Sequence, residues 1–169
     1  DGKLDHKQAL DIACQICAGL AQAHDSGILH RDLKCSNVLL CRKEDGTRRA
    51  VITDFGLASC KGQESTETGG TPGYMAPELW QGEKATTASD IYALGAVTYE
   101  MLAGEPPFTG PTAQAIVARV MTDNPRPLPE VRQTVSSQLD DAVATALQRL
   151  PADRFSSASE FAAALSATL

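Results

Sequence analysis

The chain has 169 residues, 43% of them hydrophobic and 21% charged, and a formal net charge of −6. This length and composition suit one globular domain and exclude a disordered or fibrous chain. The Lys and Arg residues form no basic stripe and no apolar run approaches the roughly 20 residues that span a bilayer, so we expect no nucleic-acid partner and no membrane segment in this piece.

The first predicted element is a helix over residues 6–24. Asp5-His6-Lys7-Gln8 has the pattern of a capping box at its start, and Ser26-Gly27 supplies a stop signal after its end. Because apolar residues cover most of its faces, we expect this helix to lie in a core.

The five cysteines form no regular framework. An odd number without such spacing suggests free thiols in a reducing compartment, which predicts a cytoplasmic location. Cys14 and Cys17 have the spacing of a metal or redox pair, but they fall mid-helix among Ala, Ile and Leu, with no second pair in the chain. We interpret them as two small core residues.

Two short apolar runs follow, Val38-Leu39-Leu40-Cys41 and Ala50-Val51-Ile52-Thr53, separated by the polar, Gly-containing turn 42–49. This pattern predicts a β-hairpin. The loop before the first strand and the residue after the second flank the two ends of one ribbon. We therefore expect three polar side chains to lie close together: Asp32, Asn37 and Asp54.

Residues 57–77 are rich in Gly, Ser, Thr and Pro, a composition typical of a functional or mobile stretch. From Thr87 onward the pattern is helical and interrupted by prolines, over the segments 88–103, 112–122, 137–149 and 157–168. Ser157 to Glu160 forms a second capping-box pattern. The chain is therefore predicted to be mainly α with a small β-hairpin.

The most informative stretch is His30-Arg31-Asp32-Leu33-Lys34-Cys35-Ser36-Asn37. It places a carboxylate that can accept a proton, an ammonium that can neutralise phosphate charge and a carboxamide that can ligate a metal within six residues, as phosphoryl transfer requires. Asp54-Phe55-Gly56 begins 17 residues after Asn37, and the Glu of Ala76-Pro77-Glu78 lies 24 residues after Asp54. Three ordered motifs at these spacings resemble the catalytic half of a protein kinase.

The resemblance covers essentially the whole chain but only the carboxyl-terminal lobe of the α+β kinase fold, with the amino-terminal lobe missing. The sequence has no Gly-rich phosphate loop, strand lysine or glutamate partner of that lysine. The resemblance implies one kinase-domain lobe over residues 1–169, which comprises a helix over 6–24, the catalytic loop and hairpin over 28–53, the activation segment over 54–78 and a helical subdomain over 87–169.

The resemblance also implies the site residues. The catalytic residues would be Asp32, Lys34 and Asn37. Asp32 would deprotonate the substrate hydroxyl, Lys34 would contact the transferring phosphate and Asn37 would bind the metal. Asn37 and Asp54 would hold Mg²⁺, and Leu39 would form the floor of the adenine pocket. Lys34, Asn37, Leu39 and Asp54 would together bind the nucleotide, so that ATP and Mg²⁺ are the expected cofactors.

Other residues would support this site. His30 is expected to stack on Phe55 rather than to shuttle protons. Asp90 would anchor the backbone of the catalytic loop from a central buried helix, and it would also serve as an ordinary carboxylate at the start of that helix. Glu78 and Arg154 would form an ion pair between the activation segment and the final helical subdomain.

The residue before the catalytic Asp is Arg31, which normally signals control by activation-loop phosphorylation because a guanidinium there needs an anion. The common phosphoacceptor position, four residues before Thr71, is Glu67. We hypothesise that Glu67 supplies part of the charge and that Thr66 or Thr68 is autophosphorylated. The alternative is that Glu67 is merely a solvated acid.

Lys34 and Thr71 together are typical of kinases that phosphorylate serine or threonine rather than tyrosine. The sequence as a whole resembles that of a bacterial-type serine/threonine protein kinase. Its partners would be ATP and proteins that offer Ser or Thr hydroxyls. Whether the parent kinase forms a dimer, and whether it has a membrane anchor outside this segment, stays open. Because the chain opens with Asp1, we expect a piece of a longer protein that is inactive alone. The alternative function is that of a non-catalytic scaffold, either pseudokinase-like or truncated. Degenerate kinases usually lose their catalytic residues, whereas this chain retains Asp32, Asn37 and Asp54, which argues against this alternative.

Overall fold

The first helix, α1, passes through the core. A computed structural model describes residues 4–42, 44, 46–55 and 72–168. Within them α1 spans His6–Asp25 and buries an apolar stripe that includes Leu10, Ile12, Ile16, Cys17 and Leu20. The helix predicted over 6–24 is confirmed. Gly27, with a φ of +73° that favours glycine, turns the chain away after it.

Of the two predicted capping boxes, the first is wrong, since the side chain of its cap residue makes no bond, and the second forms in part. The side chain of Asp5 makes no capping hydrogen bond, because this carboxylate is exposed and water competes for it. Before the last helix, Ser157 accepts from the amide of Glu160 at 3.1 Å, as predicted. The carboxylate of Glu160, however, accepts from the amide of Ser156 at 2.9 Å instead of from that of Ser157. The return bond of the second box is thus shifted by one residue.

The predicted hairpin is confirmed as strands β1, Val38–Arg42, and β2, Arg48–Ile52. The strands are antiparallel, and their register runs from Val38 opposite Ile52 to Arg42 opposite Arg48. Gln15 on α1 covers the outer edge of β2, because its amide nitrogen donates to the Arg48 carbonyl at 3.1 Å and its oxygen accepts from the Ala50 amide at 2.9 Å. This side chain pairs the edge strand and fixes the hairpin against α1.

The central helix, α3, spans Thr87–Ala103 and is buried around nearly its whole circumference. Its start is fixed by Ser89, whose hydroxyl accepts from the Thr86 amide at 3.1 Å. At Gly95 a Cβ would lie 2.9 Å from the Cβ of Ala146, so that the close approach of a neighbouring helix requires glycine there. The prediction of a helix over 88–103 is confirmed.

The remaining helices pack around α3 and α1. The helix predicted over 137–149 ends earlier, at Ala146, because the carbonyls of Gln148 and Arg149 accept from Arg154 and not from a continuing helix. The helices are α2 (Pro77–Trp80), α4 (Ala113–Thr122), α5 (Leu128–Val131), α6 (Ser137–Ala146) and α7 (Ala158–Ser166), with single 3₁₀ turns at Cys35–Asn37 and Pro151–Asp153. The fold is mainly helical with one two-stranded sheet in the described residues.

The described helices include none with the length and apolar character needed to cross a bilayer. Cys17 is fully buried in the core, and Cys14 is half-buried at its margin. Their placement on α1 agrees with the interpretation of both as packing residues.

Candidate active site

The loop between α1 and β1 is held by a carboxylate of the central helix. Asp90 is 1% exposed. One of its oxygens accepts from the His30 amide and the other from the Arg31 amide, both at 2.8 Å. The predicted anchoring role of Asp90 is confirmed, and it holds together with a position in the first turn of α3. The anchored backbone is strained, because Arg31 has a φ of +69°.

A second partner of Asp90 was not predicted. The Nε2 atom of His24, in the last turn of α1, lies 2.9 Å from the same carboxylate oxygen that accepts from the His30 amide. Both side chains are nearly fully buried. A histidine in the last turn of a helix is a favourable partner for the C-terminal dipole. That local signal gives no indication of a carboxylate 66 residues later.

Asp32, Lys34 and Asn37 lie together, as the sequence predicts. The Lys34 ammonium is 2.8 Å from a carboxylate oxygen of Asp32, and both side chains retain partial exposure. The side-chain amide of Asn37 donates to the Asp32 backbone carbonyl at 2.8 Å, with a longer approach of 3.5 Å to its carboxylate. Asn37 is 7% exposed, so the loop's carboxamide is fixed while its carboxylate and ammonium reach solvent.

Asp54 joins this group through its neighbour Thr53. The Thr53 amide donates to the Asn37 carbonyl at 2.9 Å, and the Thr53 hydroxyl lies 3.2 Å from that carbonyl and 3.4 Å from the Asp54 carboxylate. Asp54 is exposed and has a φ of +62°, which turns the chain sharply after β2. The carboxylate, ammonium and carboxamide of the loop thus lie together at one end of the hairpin, and Thr53 links the second carboxylate, Asp54, to the backbone of Asn37.

His30 is a packed, hydrogen-bonded residue. Its ring lies 4.8 Å from that of Phe55, centroid to centroid, in a tilted arrangement. Its Nε2 lies 2.8 Å from the Thr53 carbonyl, and its Nδ1 accepts from the Asp32 amide at 3.3 Å. This network assigns the neutral ring with its proton on Nε2. The predicted stacking is confirmed, and both ring nitrogens are engaged with backbone.

A part-buried polar cluster below the loop was not predicted. Glu100 on α3 accepts from the Cys35 thiol at 2.9 Å and from the Tyr74 hydroxyl at the same carboxylate oxygen. Burial, and then the carboxylate, raise the pKa of Cys35 and of Tyr74, so both remain protonated donors at neutral pH. The cluster ties the loop to the segment before α2. Its members are 26 and 65 residues apart from Glu100, and no local pattern connects them.

The predicted ion pair between Glu78 and Arg154 is confirmed. The guanidinium binds both carboxylate oxygens, at 2.8 and 2.7 Å, and Ser89 donates to one of them at 2.9 Å. Burial by itself raises the pKa of Glu78, but the hydrogen bonds and positive charge of Arg154 hold it below its usual range. The pair is buried and fixes the start of α2 against the 3₁₀ turn near the end of the chain.

Leu39 lies on β1 with 53% of its surface exposed. Several predicted residues cannot be placed, since they lie outside the described residues: Gly56 of the second motif, the proposed phosphorylation residues Thr66, Glu67 and Thr68, and the specificity residue Thr71.

Comparisons with known proteins place these motifs in a family. The family model described as "Protein kinase domain" matches residues 1–165. The chain is 39% identical to "Serine/threonine-protein kinases drp72" of Corynebacterium efficiens, over 99% of this chain and 32% of the relative. It is 33% identical to "Serine/threonine-protein kinase PknB" of Mycobacterium tuberculosis, over 98% of this chain and 27% of the relative. The chain thus spans a third or less of the length of these relatives.

Among solved structures, the fold is similar to that of Rad53 in complex with AMP-PNP. The TM-score is 0.76 at 28% sequence identity, and the match covers 95% of this chain and 40% of the Rad53 chain. The matched family model spans nearly every residue, and the first motif and Asp54 of the second flank the two ends of one hairpin, while Glu78 of the third pairs with Arg154. The chain therefore belongs to the protein kinase domain family, with bacterial serine/threonine kinases among its relatives.

Proposed function

We propose that this chain is the carboxyl-terminal lobe of a serine/threonine protein kinase that transfers the γ-phosphate of ATP to Ser and Thr hydroxyls of proteins. One observation carries the proposal: Lys34 and Asn37 bond to Asp32 at one end of the hairpin, and Thr53 connects the Asn37 backbone to Asp54 at the other. The relatives that are named serine/threonine kinases support the same reaction.

Asp32 is the residue suited to accept the proton of the substrate. As the substrate oxygen forms its bond to phosphorus and ADP departs, the hydroxyl proton moves to the Asp32 carboxylate. The Lys34 ammonium, 2.8 Å from that carboxylate, can reach phosphate charge on the same side. Anchoring by Asp90 and by Asn37 keeps the backbone of this loop in place before substrate arrives.

The donor set fits magnesium. The nitrogen of the Asn37 side chain donates to the Asp32 carbonyl, so its oxygen is the atom suited to a cation. The exposed carboxylate of Asp54 is linked to the Asn37 backbone through Thr53. Hard oxygen ligands of this kind are those that Mg²⁺ prefers. When bound, the ion would neutralise charge on the phosphates.

The exposed face of β1 supports the placement of the nucleotide base. Leu39 is half-exposed on β1 beside Val38, which packs against the core, and this exposure is expected for an adenine floor without its covering lobe. The solved Rad53 complex with AMP-PNP supports a nucleotide site in this fold. Because the sequence holds no Gly-rich phosphate loop, we expect the 169-residue chain alone to bind ATP weakly and to transfer little phosphate. Protein substrates, a cytoplasmic location and a dimeric parent belong to the same proposal.

The experiment that tests the proposal compares two variants, Asp32→Asn and Asp153→Asn, made in the full-length protein that contains this sequence. Asp153 is an exposed aspartate in the 3₁₀ turn near the end of the chain, outside the site. Peptide phosphorylation from radiolabelled ATP should fall about 10²–10⁴-fold in the first variant, because the base is lost, and remain unchanged in the second. Equal turnover in both variants, or no turnover in the parent, would favour the scaffold alternative.

A further inference from the structure

The turn of the hairpin and the strand residues beside it concentrate positive charge. Of the eight residues 42–49, four are Lys or Arg and two are Asp or Glu, in a chain whose net charge is −6. Three arginines at this place are exposed, and we call them the basic tip: Arg42, Arg48 and Arg49. The length of both strands separates the basic tip from the catalytic loop, so its charge has no part in the proposed phosphate transfer.

Two arginines of the basic tip are direct neighbours across the sheet. Arg42 on β1 stands opposite Arg48 on β2. The side chain of Gln15 bonds to the Arg48 carbonyl and the Ala50 amide, so these groups point away from β1. Arg42 and Arg48 therefore form a non-hydrogen-bonded pair, the arrangement in which opposite side chains come closest. Like charges in such a pair destabilise a sheet, and an anion between the two guanidiniums would remove this repulsion.

The part of the chain that the structure describes supplies no such anion. None of the guanidiniums of the basic tip forms an ion pair with a carboxylate of the described residues. Asp11, one turn before Gln15 on α1, accepts from the Gln15 amide at 2.9 Å instead. Glu44, exposed in the turn between the strands, forms no ion pair with a described residue either. The charge of the basic tip is therefore available to a partner.

We propose that the basic tip binds an acidic segment of a partner protein, rich in Asp or Glu, with one carboxylate held between Arg42 and Arg48. Guanidiniums bind carboxylates through paired hydrogen bonds. A nucleic acid or an anionic membrane presents an extended array of negative charge, which the net charge of −6 on this chain would repel. A short acidic segment contacts the basic tip alone. The proposal does not depend on phosphate transfer.

The test uses two fluorescein-labelled peptides of about ten residues, one of alternating Glu and Ser and one of alternating Gln and Ser. Each is titrated with the full-length protein that contains this sequence, and binding is followed by fluorescence anisotropy. Glutamine keeps the shape of glutamate, so a difference in affinity reports charge. We expect the Glu peptide to bind about 10-fold more tightly at about 50 mM salt, and this advantage to fall to about 3-fold or less at about 300 mM.

Charge reversal locates the binding surface. The double variant Arg42→Glu, Arg48→Glu should lose the preference for the Glu peptide and instead bind a peptide of alternating Lys and Ser, a gain that requires a folded hairpin. The control is Lys84→Glu, Arg126→Glu, which changes the net charge by the same amount at exposed residues outside the basic tip and should keep the preference. Arg42→Gln alone should weaken binding of the Glu peptide about 3-fold while raising the melting temperature, because it relieves the like-charge pair.

Four results would overturn the proposal. They are equal affinities of the parent for the Glu and Gln peptides, a preference that survives the double reversal, and an equal loss of preference in the control variant. The fourth is tighter binding to phosphatidylserine vesicles or duplex DNA than to the Glu peptide through the same two arginines, which would assign the basic tip to a different class of partner.

Discussion

The ion pair between Glu78 and Arg154 allows a quantitative test, because replacing Glu78 by Gln keeps its shape while removing its charge and one of its two acceptor oxygens. Glu78 is 5% exposed and accepts two bonds from the guanidinium and one from Ser89. In Glu78→Gln one charge-assisted bond is lost, the other becomes a bond to a neutral acceptor, and the guanidinium stays buried. Breaking a buried pair costs about 3–5 kcal/mol. Because three backbone carbonyls still accept from Arg154, we expect the lower end, about 3 kcal/mol.

The free energy of unfolding is measured by urea denaturation, followed by circular dichroism, from pH 7 down to pH 3. The pKa of Glu78 in the folded protein lies below its ordinary value of 4.5, so its stabilisation is present above that value and is lost as the pH falls through the folded pKa. Once Glu78 is protonated, it is as neutral as the glutamine that replaces it in the variant. The deficit of the variant should therefore be largest at pH 7 and shrink below pH 4.5.

The matched control is Glu130→Gln, which removes a carboxylate of the same type from an exposed pair with Arg126. Those two side chains are 61% and 62% exposed and 3.4 Å apart. Surface pairs contribute about 0–1 kcal/mol, so this variant should change stability little at any pH. A deficit for Glu78→Gln below about 1 kcal/mol at pH 7, or one that does not shrink in acid, would refute the assignment of a buried, charge-dependent pair.

Asp90→Ala removes the acceptor of two backbone amides of the catalytic loop, one buried and one part-buried, and we expect a loss of about 2–4 kcal/mol together with faster hydrogen exchange at those amides. Unchanged exchange would contradict the anchoring role. Gly95→Ala places a methyl 2.9 Å from a methyl of α6 and should cost about 1–3 kcal/mol in thermal unfolding, whereas Gly19→Ala faces a flexible side-chain end at 3.3 Å and should be tolerated. Equal melting temperatures for the two glycine variants would disprove the packing argument. In native alkylation by iodoacetamide, mass spectrometry should find exposed Cys41 modified well before Cys17, because Cys17 is buried and burial raises its pKa to about 12. Early modification of Cys17 would show that α1 opens readily.

The parts of the fold that depend on local periodicity were predictable. The apolar pattern of α1, the hairpin around its polar turn and the long helix α3 all appear within a few residues of their predicted bounds. Helix ends were less predictable, because tertiary partners compete for terminal groups. At α6 the carbonyls of Gln148 and Arg149 bond to Arg154, and the helix ends three residues early. The sequence of the helix itself does not show that Arg154 will bind these carbonyls.

The site was predictable where one motif holds several polar residues, and it was not where partners lie far apart. Asp32, Lys34 and Asn37 fall within six residues, so their proximity follows from the motif and the hairpin alone. The cluster of Cys35, Tyr74 and Glu100 joins three separate segments. Its members have ordinary local roles in sequence, and only the packing of the loop on α3 brings them together. Long-range polar contacts of this kind require the assembled core.

The backbone conformation around the catalytic loop also depends on the core. Arg31 and Asp54 both occupy the left-handed region, which costs a residue other than glycine about 1–2 kcal/mol. Such strain persists only where surrounding contacts determine the conformation. At Arg31 the determining contact is Asp90, which accepts from two successive amides and lies on the buried helix α3. The geometry of the proposed base, one residue later, is thus coupled to the stability of the core.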